Sequence, residues 1–199
     1  MSQENKLNGK KIGFGITASF CTVLEVLPAL QKLKDLGADV YPVVSENVSR
    51  YSSRFHDKDL FLQQVADICG RDVIRTIAGA EAFGPDIQVD LMMVAPATGN
   101  TIAKLACGIS DGPVTLACKA TLRNEKPLLL ALFSNDALGM NGVNVMKLLD
   151  TKHVYFVPFG QDNPAAKPRS MTADLSRLVE AAVAAVEGRQ VQPVIVTYR

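Results

Sequence analysis

Small, hydroxyl-bearing and amide side chains gather at three places in the chain, each directly after an apolar run. Gly13-Phe14-Gly15-Ile16-Thr17-Ala18-Ser19 ends the first run. Ser45-Glu46-Asn47-Val48-Ser49 follows the second, and Ala95-Pro96-Ala97-Thr98-Gly99-Asn100-Thr101 ends the third. These residue types suit the holding of a phosphate or a polar ring. Glycine lets the backbone come close, and hydroxyls and amides donate. A helix starting at such a turn adds free N–H groups and a partial positive charge. Gly15 is expected to make a tight turn, with Thr17 and Ser19 as hydroxyl donors. In the third segment a proline ends the run, while Thr98, Asn100 and Thr101 can cap the next helix and donate outward. Gly13-x-Gly15-x-x-Ala18 also fits a loose form of the dinucleotide fingerprint, with Glu46 as its acidic ribose partner, so an NAD(P)-binding domain stays open as an alternative.

These segments need elements to position them. Lys11 to Thr17 reads as a first strand and its exit turn. Phe20 to Leu36 reads as a helix, with Val23, Leu24, Leu27, Leu30, Leu33 and Leu36 on one face and Gly37 at its C-cap. Residues 40–45 read as a second strand, and Pro42 argues for an edge or an irregularity there. Residues 90–95, 128–133 and 154–157 read as three more. Helices are expected at 57–69, 100–108, 114–123 and 143–149, and a last one from Leu175 to Val186 is closed by Gly188. The strands are apolar almost throughout, which suits a parallel sheet covered on both faces. Strand–helix alternation implies right-handed crossovers. The expected fold is therefore a single-domain three-layer α/β/α sandwich, flavodoxin- or Rossmann-like, with its core at about residues 10–188. Residues 46–55 and 158–170 read as long loops. Ligands of such sheets bind at the C-terminal strand ends, near the point where strand order reverses. The three polar segments fall at such ends.

Composition narrows the function classes. The chain has 199 residues, 48% hydrophobic and 21% charged, enough for a sizeable core. Its 21 basic and 20 acidic residues leave a net charge of +1, which gives no general attraction to nucleic acid or anionic lipid. No apolar run reaches the roughly 18 residues of a membrane helix. The stretch Met1 to Lys6 is polar, unlike a secretory signal, so a cytoplasmic protein is expected. The cysteines at 21, 69, 107 and 118 have no CxxC spacing and no histidine near any two of them. That argues against a zinc site and a disulfide framework. Cys69, Cys107 and Cys118 read as small buried hydrophobes, and Cys21 as the one placed near a ligand.

Residues 95–112, together with Gly15 to Ser19 and Met140-Asn141-Gly142-Val143-Asn144-Val145-Met146, resemble the flavin-containing cysteine decarboxylase family. That group includes phosphopantothenoylcysteine decarboxylase and the lantibiotic decarboxylases, and the flavin prenyltransferases are related to it. The resemblance covers about residues 10–160. It implies a flavodoxin-like sandwich that binds FMN, in a homo-oligomer. Two family residues are missing. The decarboxylases carry an active-site histidine just before the third strand, where residues 81–90 have none. Their late-loop cysteine has no counterpart in residues 159–171.

Residues 43–48, 95–112 and 158–170 together resemble the B-subunit family of the dipicolinate synthases of spore-forming bacteria. This implies oxidation of dihydrodipicolinate, a small cyclic dicarboxylate, to dipicolinic acid during sporulation, in the mother-cell cytoplasm. It also implies a partner, the A subunit of dipicolinate synthase, whose own nucleotide-binding region would bring in NAD(P). The expected FMN site has Gly15, Thr17, Ser19 and Ser45 around the phosphate and ribityl chain. Ala97, Thr98 and Asn100 would meet the ring, with Met140 and Asn141 toward the substrate. A dicarboxylate calls for cations, and Arg54, Lys167 and Arg169 are the candidates. Asn141, Arg54 and Arg169 form the expected catalytic set, and His56 is a candidate proton carrier. Lys104, Lys119 and Arg123 read as solvated helix faces. The alternatives are an FMN-dependent decarboxylase of a cysteine-containing substrate or a flavin prenyltransferase, and a non-catalytic flavin-binding partner of the A subunit.

Overall fold

The computed structural model describes residues 6–197; Met1 to Asn5, Tyr198 and Arg199 lie outside it, so the polar N-terminal stretch is described only at Lys6. Five apolar runs form parallel strands: β1 (Lys11–Ile16), β2 (Asp39–Val44), β3 (Leu91–Thr98), β4 (Leu128–Ser134) and β5 (Val154–Phe156). Their spatial order is β2-β1-β3-β4-β5. β2 is the edge strand of this order, one of the two placements expected from Pro42, because proline has no N–H to give a second neighbour. Strand order reverses between β1 and β3. Ligands of open α/β sheets bind in the crevice at such a point.

Helices cover both faces. On one side α1 (Leu27–Asp35) meets α3 (Lys58–Cys69) and α8 (Leu178–Val186), which packs on β3 and β4. On the other, α6 (Pro113–Arg123) packs on the sheet and meets α4 (Ile77–Ala80) and α5 (Gly99–Ala106), and α5 meets α7 (Gly142–Leu149). The three-layer sandwich expected from the alternating pattern is therefore present. Gly37 closes α1 in the left-handed region at φ +81°, where a side chain would be strained.

Besides the short α4, which is not among the expected helices, three parts of the chain differ from expectation. Residues 20–36 are not one helix: a 3-10 turn at Val23–Val26 precedes α1. Pro28 explains this, because a proline fits only the first turn of an α-helix, so the helix cannot begin earlier. The expected loop 46–55 contains a short helix, α2 (Glu46–Arg50). The late segment carries two short strands, β6 (Phe159–Gly160) and β7 (Met171–Ala173), paired antiparallel. β7 also pairs antiparallel with Phe133 and Ser134, at the end of β4 where β5 no longer reaches. β7 thereby satisfies backbone groups of β4 that the short β5 leaves bare, and β6 pairs in turn with β7.

Candidate functional site

The site is built on the touching ends of β1 and β3. Thr17, just past β1, is buried. Its hydroxyl donates to the Pro96 carbonyl at 2.7 Å and accepts the Thr98 N–H at 3.1 Å. β3 is irregular here: its register against β4 shifts between Val94 and Ala97. Such a bulge re-aims the strand tip. It leaves Ala97 fully buried opposite Leu132, and brings Thr98 out to start α5, where its hydroxyl lies 3.1 Å from that of Thr101.

Two cavities open on this crevice. The larger, about 1000 Å³, has as walls residues 18–22 after β1, Thr98 to Asn100, the β4 tip from Phe133 to Asp136, Arg54 and Phe55, Asn141, and the late loop at Asp162, Lys167 and Ser170. Its size is at the upper end for small-molecule sites. Phe20, Phe55 and Phe133 supply apolar surface, and Asn100, Asn135 and Asn141 supply amides. The smaller cavity, about 160 Å³, lies among Thr17, Ser45, Glu46, Asn100, Thr101, Lys104, Asp111 and the start of α6. Asn100 lines both. The Ser45 hydroxyl is buried there and has no hydrogen-bond partner among the described residues.

Charge is balanced in the larger cavity, where Arg54 and Lys167 face Asp136 and Asp162. Lys167 lies 3.1 Å from Asp162. Burial alone would raise the Asp162 carboxyl, but the Ser170 hydroxyl and the Lys167 ammonium hold it below the usual carboxylate range. Arg54 has no carboxylate partner among the described residues; its guanidinium lies 4.7 Å over the Phe55 ring. In the smaller cavity Lys104 bonds both oxygens of Asp111, at 2.8 and 3.1 Å, and that bond holds the Asp111 carboxyl low.

The structure gathers Ser19, Thr98, Asn100, Asn141, Arg54 and Lys167 on the larger cavity, and Thr17, Ser45 and Asn100 on the smaller. Cys21 is exposed on the larger cavity's wall. Four expected residues are placed elsewhere. Gly15 lies inside β1 rather than in a turn, and a side chain there would run into Val114 and Met92. With Gly13 also in the strand, the glycine turn of a dinucleotide fingerprint is absent. Ala97 is sealed in β3 by the bulge. Met140 is 85% exposed and Arg169 is exposed, and neither lines either cavity. Thr17 is present, but its proton is committed to Pro96. His56 lies behind Phe20 rather than on the cavity wall. Lys104, expected on a solvated face, joins the smaller cavity, and Cys107, expected in the core, is exposed. The sequence reading missed Ser134, Asn135 and Asp136, although the strand-end rule, applied to β4, points straight to them. It also missed the aromatic walls, since Phe20, Phe55 and Phe133 look like core residues in sequence.

A family model described as Flavoprotein matches residues 1–185. The chain belongs to the flavoprotein family. The B subunit of the dipicolinate synthase of Bacillus subtilis (strain 168) is 43% identical to this flavoprotein over 192 residues, 96% of each chain. The crystal structure of the B subunit of dipicolinate synthase from Bacillus halodurans C matches with a TM-score of 0.89 at 42% identity, covering 97% of this chain and 99% of that one. The resemblance carried by residues 43–48, 95–112 and 158–170 thus extends along nearly the whole flavoprotein. DmrB of Burkholderia xenovorans, solved in complex with FMN as a cubic protein cage, matches with a TM-score of 0.64 at 16% identity over 87% of this chain and 93% of that one; this likeness is one of fold. No helix among the described residues is long and apolar enough to cross a membrane.

Proposed function

We propose that the chain is an FMN-binding subunit that oxidises a small cyclic dicarboxylate, dihydrodipicolinate, to dipicolinic acid in the mother cell, acting with the A subunit of dipicolinate synthase. The observation that carries the reading is the pair of cavities at the β1–β3 switch point, with the Ser45 hydroxyl buried and unpartnered in the smaller one. A buried hydroxyl without a partner is costly, so a donor or acceptor is expected to complete it. The near full-length similarity to the B subunit of dipicolinate synthase supports the choice of substrate.

The residues fit FMN. Ser45, Asn100 and the N–H ends of α5 and α6 would hold the phosphate in the smaller cavity. Phe20, Thr98 and Asn141 would hold the ring in the larger one. When bound, FMN supplies a hydride acceptor; the protein supplies binding and orientation. Arg54 and Lys167, rather than the outlying Arg169, would grip the two carboxylates, with Asn135 and Asn141 orienting the ring between them. The aromatic walls would give the ring an apolar surface to lie against. Aromatisation of the product supplies driving force, so no strong base is required. NAD(P) would enter through the A subunit, and the chain would work as a homo-oligomer.

The test is anaerobic. The chain with FMN is mixed with dihydrodipicolinate, with and without the A subunit, while flavin absorbance and dipicolinic acid are followed. Bleaching of the flavin with formation of dipicolinic acid is expected. A chain that binds no FMN, or FMN that stays oxidised in both mixtures, refutes the proposal.

A further inference from the structure

We propose that His56 is a positioning residue that fixes Arg54 at the mouth of the larger cavity; this rests on the reading of that cavity as a dicarboxylate site. Arg54 is exposed, and the Phe55 ring is the partner the structure gives its guanidinium. A long side chain with so little to hold it loses much entropy when it binds an anion. What limits that loss is the loop beneath it, and the loop is built around His56. The Ser53 N–H donates to the His56 carbonyl at 2.9 Å, closing a small antiparallel bridge. The Ser53 hydroxyl oxygen accepts the Phe55 N–H at 3.1 Å and lies 3.0 Å from His56 Nδ1. Two residues that carry side chains into the cavity, Arg54 and Phe55, are thereby held between Ser53 and His56.

The imidazole also anchors this loop to the opposite wall. It is 8% exposed. Its ring stacks on Phe20 at 5.6 Å and 28°, and meets Phe61 of α3 edge-on at 5.6 Å. Phe20 lines the cavity after β1; His56 itself does not. Its Nε2 is buried and makes no hydrogen bond among the described residues. His56 therefore acts on a ligand only through what it holds. A plain aromatic ring would reproduce the stacking. Only a ring with a nitrogen at the Nδ1 position also engages the Ser53 hydroxyl that receives the Phe55 N–H. That requirement accounts for a histidine in an otherwise phenylalanine-lined pocket.

The test is a double-mutant cycle read by calorimetric titration of the full FMN-loaded chain with dipicolinate, with thermal unfolding recorded for each variant. Arg54→Ala is expected to weaken binding roughly tenfold, as loss of a charge-assisted contact would. His56→Phe keeps the stack and loses the Ser53 bond; it is expected to weaken binding roughly threefold, and the double variant to bind no worse than Arg54→Ala alone. Ser53→Ala keeps the imidazole but removes that bond and also the acceptor of the Phe55 N–H; it is expected to weaken binding at least roughly threefold, and it carries the test where His56→Phe does not fold. Two results overturn the inference: additive losses, or His56→Phe and Ser53→Ala lowering the melting temperature with wild-type affinity while Arg54→Ala is weakened. A wild-type chain that does not bind dipicolinate, or Arg54→Ala with wild-type affinity, instead refutes the dicarboxylate reading, and the role of His56 falls with it.

Discussion

Ser45→Ala should have opposite effects on the empty and the flavin-loaded protein. The hydroxyl is buried beside the smaller cavity with no partner among the described residues. An unsatisfied buried polar group costs about 1–3 kcal/mol. Removing it should stabilise the empty protein by about 1 kcal/mol, which in a domain of this size raises the melting temperature by about 2–4 °C. The flavin-loaded protein should move the other way. A hydrogen bond to a charged phosphate contributes about 1.5–3 kcal/mol, so its loss raises the Kd roughly tenfold or more. At FMN one hundred times the wild-type Kd, binding stabilises the wild type by about 2.7 kcal/mol and a tenfold weaker variant by about 1.4 kcal/mol. That deficit of about 1.3 kcal/mol outweighs the variant's advantage of about 1 kcal/mol, so the order of the two melting temperatures reverses as FMN is added. The assay is thermal unfolding by circular dichroism across an FMN series, with affinity from flavin fluorescence quenching. A variant that is less stable when empty, and that binds FMN as the wild type does, would show that Ser45 meets neither a phosphate nor a cost.

Gly15→Ala should destabilise the fold by about 1–3 kcal/mol through overpacking. The added carbon would sit 2.8 Å from Val114 Cγ1, 3.0 Å from Met92 Cε and 3.3 Å from the Met93 carbonyl. An unchanged urea midpoint would contradict this. Burial pushes the Cys69 thiol up to about 11 and raises that of Cys118 further, so a thiol reagent at neutral pH should label the exposed Cys21 and Cys107 first. FMN should then protect Cys21 and leave Cys107 reactive in peptide mapping; equal protection of both, or of neither, would remove Cys21 from the ligand's reach. Asp57 caps α3, and the N–H groups of Leu60 and Asp59 hold its carboxyl below the ordinary value of 3.8. A lowered folded value means that stability is gained above the unfolded value and lost as pH falls through the folded one. The melting-temperature gap between wild type and Asp57→Ala should therefore be full at neutral pH and close in strong acid; a gap that stays constant would refute the cap's charge dependence.

The sheet was legible because β3 and β4 are apolar at nearly every position, a pattern that strands covered on both faces require. The position of the two cavities at the strand ends was legible for the same reason: once the strands are found, their exits follow. What escaped depended on contacts distant in sequence. Gly15 carries the same signal whether it makes a turn or admits Val114 and Met92 against the strand, and only packing separates the two. Ala97 looked available because its segment is small and polar, yet the bulge turns it inward. β6 and β7, of two and three residues, are too short to show any alternation. Arg169 and Lys167 are equally charged neighbours, and only the fold of the late loop brings Lys167 alone to the cavity.

The bonds made by Thr17 bear on how strongly a guest can be held. Its proton and one lone pair are already engaged with Pro96 and Thr98, so the partition between the two chambers is assembled when the chain folds. An incoming cofactor meets a rigid divider and need not organise one. On the proposed function, the associated loss of freedom is charged to folding rather than to binding, which would raise the affinity of both chambers. On the proposed reading Thr17 offers a ligand only its remaining lone pair, and its main contribution is preorganisation of the divider.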